Sequence, residues 1–162
     1  MEINRPKYVN KNKCIGCSMS GVWRAVGYNP KAVVIFHSPK SCAHIVKDLN
    51  LSSFYYDIVH NEKNSGNGIL LSSQLLDKHT VFGGEDQLEK CIEYAVNKYE
   101  CDYIVIANSC VAGIIGDDVT KIAQVAQEKF NKPILTVPCY GFLDGSQYFE
   151  GFFEAGKLLI KN

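Results

Sequence analysis

Three short runs rich in Val, Ile and Leu constrain the fold of this chain more than any other feature: AVVIFH (32–37), YIVIAN (103–108) and ILTVPC (134–139). The first two are apolar without alternation, as expected of strands covered on both faces, and strands of that kind pair in parallel. Parallel strands cannot be joined by a tight turn, so a crossover must lie between them. The intervening sequence supplies helices for that purpose. In EDQLEKCIEYAVNKY (85–99), Leu88, Cys91, Ile92, Ala95, Val96 and Tyr99 fall at i, i+3, i+4, i+7, i+8 and i+11, one complete apolar stripe. DDVTKIAQVAQEKF (117–130) opens with two acids at the positive end of a helix dipole, with Asp117 as its expected N-cap, and is stopped by NKP.

Shorter helices are expected at about 18–28, 41–50 and 147–160, and HTVF (79–82) reads as a weaker strand. YYDIVH (55–60) and GILLS (68–72) are undecided segments, and NEKNSGNG (61–68) is a polar, Gly-rich loop. The pattern predicts an α/β fold: a Rossmann-like three-layer domain with a mostly parallel sheet flanked by helices. A chain of 162 residues fits one such domain, 1–162, with residues 1–13 extended or flexible.

Seventeen basic and seventeen acidic side chains balance, and the longest apolar run, AVVIF (32–36), is far too short to cross a bilayer. Neither nucleic acid nor a membrane is implied as a partner. The first residues, MEINRPKYVNKNK, lack the apolar core of a secretory signal, so a cytoplasmic location is expected. That bears on the seven cysteines, 14, 17, 42, 91, 101, 110 and 139: a reducing compartment disfavours structural disulfides, and an odd number cannot pair fully. They read as thiols or metal ligands.

On this frame Cys42 falls in the loop after the first strand, and Cys110 falls two residues after the second. Both are at the carboxyl edge of a parallel sheet, where open α/β folds bind ligands. Cys139 ends the third strand at the same edge. Cys91 and Cys101 read as small buried hydrophobes. The loops around Cys42 and Cys110, HSPKSCAH and NSCVAGIIGDD, combine Ser hydroxyls with Gly turns whose backbone N–H groups suit the sulfides of a cluster. A zinc site would show a second close Cys or His pair beside Cys14 and Cys17, and none is present. His37 and His44 flank Cys42 as weak candidates for a catalytic base, and FGGED (82–86) reads as a helix start rather than a phosphate loop.

GCSMSG (16–21), HSPKSC (37–42), VFGGEDQL (81–88), NSCVAGIIGDDV (108–119) and VPCYGFLDG (137–145) occur in that order, and together they resemble the first domain of the nitrogenase component 1 family. That family includes the subunits of dinitrogenase, the scaffolds on which its cofactor is assembled and the dark-operative protochlorophyllide reductase. The resemblance implies an iron–sulfur cluster, of 4Fe-4S or P-cluster type, shared between subunits. Its matching ligands are Cys17, Cys42 and Cys110, while Cys139 matches a position that does not ligate. Cys14 has no firm match and is a candidate fourth ligand.

The resemblance further implies a homodimer or heterodimer with the cluster at its interface, and an iron-protein-like ATPase as electron donor. Family subunits usually have three α/β domains, and this chain corresponds to the first. The implied function is therefore that of a cluster-binding module relaying electrons to an active site elsewhere. The alternatives are a non-enzymatic scaffold that holds a cluster or cofactor precursor, and a truncated domain without a cluster.

Overall fold

A computed structural model describes residues 16–46, 68–140 and 147–161. In chain order they form α1 (Ser18–Val26), β1 (Ala32–His37), α2 (40–46), β2 (Ile69–Ser72), α3 (His79–Phe82), α4 (Glu85–Lys98), β3 (Tyr103–Ser109), α5 (Cys110–Ile115), α6 (Val119–Phe130), β4 (Ile134–Cys139) and α7 (Gln147–Lys161). The strands make one all-parallel sheet in the order β2-β1-β3-β4. The expected α/β class and flanking helices are therefore observed, and the segment GILLS resolves as the edge strand β2. Cys14, residues 1–13 and YYDIVH lie outside the described residues.

The sheet separates two apolar layers, as the doubly covered strands require. Val34, Phe36, Val105 and Ala107 face α1 and α7, where Met19, Val22 and Ala155 pack on them. Val33, Ile35, Ile104 and Ile106 face the other way, onto Leu88, Ile92 and Ala95 of α4 and Ile122, Ala123 and Ala126 of α6. Every residue of β1 is buried. The stripe expected on α4 is the observed one, with Leu88, Ile92 and Ala95 buried and Cys91, Val96 and Tyr99 half-buried.

Two local expectations are corrected. HTVF is not a strand but the short helix α3, closed by Phe82 N–H on the Lys78 carbonyl (3.1 Å) and Gly83 N–H on the His79 carbonyl (3.0 Å). Its apolar residues never meet a sheet: Val81 and Phe82 are 76% and 85% exposed. Asp117 is not the N-cap of α6. Asp118 is, its Oδ1 accepting from Lys121 N–H at 3.0 Å, which leaves the Asp117 carboxylate for another purpose.

Helix α7 lies across α1 with no room between them: a Cβ added at Gly151 would land on the carbonyl of Ser18. Glycine is required there for a close backbone approach, not for a special φ.

Candidate metal centre

From β1 the chain crosses to β2 on one side and later returns to lay β3 on the other. This puts a switch point between β1 and β3, and the region beyond their carboxyl ends is where doubly wound sheets take ligands. The three cysteines singled out above all belong to segments at this edge. Cys17 is the exposed N-cap residue of α1, its carbonyl accepting from Ser20 N–H (3.0 Å). Cys42 is in the first turns of α2, not in a loop, because Pro39 starts the helix and its carbonyl accepts Cys42 N–H at 3.2 Å. Cys110 opens α5 directly after β3, held by Ser109, whose Oγ accepts from Ala112 N–H at 3.2 Å.

Burial pushes the Cys42 thiol above its ordinary value, Cys17 and Cys110 add to the rise by charge repulsion, and hydrogen bonds with Ser38 and Ser41 oppose it. Burial likewise pushes Cys139 up, again reinforced by Cys17 and Cys110. Cys139 is buried, with its Sγ 3.6 Å from the Val137 carbonyl. The edge thus gathers Cys17, Cys42, Cys110 and Cys139 from segments far apart in sequence.

Among the described residues, no three His, Cys, Asp or Glu side chains converge as they would on a single ion. A cubane places each thiolate on a different iron, so its ligands stand wider apart than those of one ion. A set of soft donors on three separate segments, two half-buried and one open, fits such a group.

The same burial predicts an order of reactivity. At pH 8, timed alkylation of cluster-free protein should modify Cys17 first. Cys91, whose thiol burial raises to about 11, should lag with a thiolate fraction on the order of 0.1%. Cys139 should be the slowest of the three, and peptide mass mapping that finds it labelled before Cys17 would contradict this arrangement.

Sequence reasoning missed one feature of this edge. His37, at the end of β1, is fully buried, with Nε2 2.9 Å from Asp117 Oδ2 and Nδ1 2.9 Å from Ser73 Oγ. Gly84 N–H donates to both Asp117 oxygens, at 2.9 and 3.1 Å, and Ser38 N–H donates to Ser73 Oγ at 3.3 Å. With His37 neutral and protonated on Nε2, the whole chain is satisfied: Ser38 N–H to Ser73, Ser73 O–H to Nδ1, and Nε2–H and Gly84 N–H to the carboxylate. Burial lowers the His37 pKa despite the opposing pull of Asp117 and Glu85, in keeping with the neutral ring. The available signal was the doubled acid in GDD, since a helix start needs only one capping side chain.

A pH dependence follows. The unfolded chain protonates His37 near 6.5 while the folded chain resists, so acid favours unfolding. Stability contributed by the neutral ring is complete above about pH 6.5 and is lost as pH falls toward the lower folded value. Denaturant titrations at pH 7.5 and 5.5 should show a smaller acid loss in His37→Gln than in the parent; equal losses would refute the linkage.

Among the described residues, no helix is long and apolar enough to cross a membrane. Residues 17–162 match the family described as nitrogenase component 1 type oxidoreductase. Over 149 residues the chain is 29% identical to the nitrogenase iron-molybdenum cofactor biosynthesis protein NifE of Methanosarcina barkeri, covering 90% of this chain and 30% of that protein. It is 27% identical to the nitrogenase molybdenum-iron protein alpha chain of Klebsiella pneumoniae, covering 91% of this chain and 33% of that one. The chain thus spans about a third of the length of these curated relatives. The structure of nitrogenase Cp1 at pH 5 superposes with a TM-score of 0.66 at 22% identity, over 93% of this chain and 30% of that chain, a likeness of fold. With the family pattern running from Cys17 through the last residue, over the same parallel sheet, this chain belongs to the nitrogenase component 1 type oxidoreductase family.

Proposed function

We propose that this chain is an iron–sulfur cluster-binding module of a nitrogenase-like oxidoreductase, with Cys17, Cys42 and Cys110 as thiolate ligands. The observation that carries the reading is the placement of these three cysteines at the start of α1, the first turns of α2 and the start of α5, segments that meet at the carboxyl edge of the parallel sheet. Three thiolates leave a cubane one ligand short, so a second chain in a homodimer or heterodimer, or Cys14, completes the set. In a reducing cytoplasm such thiols persist unpaired.

The module relays electrons from an iron-protein-type ATPase to an active site elsewhere. Val81 and Phe82 of α3 and Ile114 of the neighbouring α5 are all exposed beside the cysteine edge, and a grouped apolar surface of this kind suits a protein partner. Anaerobic expression with iron and sulfide, followed by metal analysis and electron paramagnetic resonance, tests the cluster. Well-folded protein that retains no iron would refute it.

A second reading is favoured by the match to the cofactor biosynthesis protein NifE: a scaffold that holds a cluster or precursor without turnover. A relay is reduced by an iron protein with ATP, whereas a scaffold loses its cluster to an acceptor protein. The two outcomes separate the readings in one preparation.

A further inference from the structure

We propose that Asp117 is a positioning residue that ties the cysteine edge to the exposed α3 surface through its hydrogen bonds to His37 and Gly84. Three segments meet on this one carboxylate. His37 ends β1 and leads through Ser38 and Pro39 to Cys42. Asp117 itself follows α5, which Cys110 opens. Gly84 directly follows Phe82 and Gly83 and starts α4. The side chains of His37 and Asp117 are 0% and 2% exposed, so little water is available to substitute for a lost partner.

The chemistry requires a carboxylate. The Asp117 carboxylate receives hydrogen bonds from the Gly84 N–H and the His37 Nε2–H and donates none. An asparagine there has one acceptor oxygen, so its amide N–H must face either the Gly84 N–H or the His37 ring. The second choice is relieved only if the ring moves its proton to Nδ1. Nδ1–H then donates to Ser73 Oγ, and the Ser73 hydroxyl proton loses its acceptor. Space is equally restrictive: a Cβ at Gly84 would sit 2.8 Å from Asp117 Oδ2 and 3.3 Å from His37 Cε1. Glu85 and His79 are the other charged or titratable groups acting on this ring, Glu85 raising and His79 lowering its proton affinity. Glu85 also accepts from the N–H of Asp118 at 2.8 Å, a second tie between the start of α4 and the start of α6.

The consequence for the proposed centre rests on the cluster reading, but the positioning itself is measurable without a cluster. In cluster-free Asp117→Asn, either long-range ¹H–¹⁵N spectra should show the His37 proton moved from Nε2 to Nδ1 or, with the ring unchanged, the Gly84 amide should exchange faster. Alkylation of Cys42 and Cys110 should change by about fivefold, while Cys91 and Cys101 keep their parental rates. A merely structural role would instead raise labelling of Cys91 and Cys101 in parallel with the others.

If Asp117→Asn does not fold, Ser73→Ala, which removes only the far end of the network, carries the same labelling test. An unchanged tautomer and unchanged Cys42 and Cys110 labelling in a folded variant would overturn the proposal. Parent protein that takes no iron would overturn the cluster reading alone, since these measurements judge Asp117 in its absence.

Discussion

Replacing Cys42 by alanine should leave a folded protein that no longer holds iron. Cys42 is half-buried at the start of α2, and trimming its sulfur removes little packed volume, so the cost to the fold is about 1 kcal/mol. The melting temperature of the cluster-free protein should barely move. On the cluster reading, by contrast, the site would lose one of the three thiolates proposed from this chain. Loss of a hydrogen bond merely supporting a ligand weakens metal sites by about 10- to 100-fold, so removal of the ligand itself should exceed that. Iron per chain is then expected at background, with the paramagnetic signal absent.

Ligation by Cys42, as proposed, would also draw a proton from a thiol whose pKa is raised by burial and by its sulfur neighbours. Cluster loading of the parent should therefore improve as pH rises toward that value. A Cys42→Ala variant that loads as fully as the parent would remove Cys42 from the ligand set.

The largest expected effect on stability comes from Gly151→Ala. The added methyl would be driven into the carbonyl of Ser18, with the backbone carbon behind it at 2.7 Å. These are main-chain atoms of a buried helix, which cannot rotate aside as a side chain would. Helix α7 must lift from α1, opening the layer where Ala155 packs with Met19 and Val22. Overpacking of this kind costs about 1–3 kcal/mol, and the upper end applies where backbone meets backbone. Because Ser18 adjoins Cys17, the displacement should also lower iron retention. A denaturation midpoint within error of the parent would show that the helices tolerate the extra carbon. Gly156, whose Cβ would meet nothing within 4 Å, serves as the control: Gly156→Ala on the same helix should be neutral or mildly stabilising.

The central strands were legible because burial on both faces leaves an unmistakable apolar run, as in AVVIFH, and α4 was legible because its stripe repeats over three turns. HTVF misled because three β-prone residues in a row carry no information about whether a sheet edge is available to them, and here the chain is climbing over the carboxyl edge toward α4. GILLS was undecided for the opposite reason: β2 is only half-buried, so its composition is less extreme. Cys42, Cys110 and Cys139 could be placed at one edge from strand ends alone, whereas Cys17 came only from the resemblance, and their grouping depends on β3 lying beside β1, which no local pattern specifies. Asp117 was assigned to the nearest helix, as local rules direct, whereas its partner His37 lies 80 residues away.

The order of the strands also sets a timetable. During synthesis Cys17 and Cys42 are made early, with β1, while the segment bearing Cys110 appears only after β2 and α4 have been laid down. Its place is defined by a contact between two strands well separated along the chain, a pairing that forms late because distant segments must first be brought together. A cluster bridging all three segments, as proposed, would have no complete set of ligands until the sheet is finished. On the cluster reading the metal would therefore enter a structure that already exists, unlike the ion of a small zinc domain, which drives its own folding. That ordering would separate folding of the protein from delivery of a cluster.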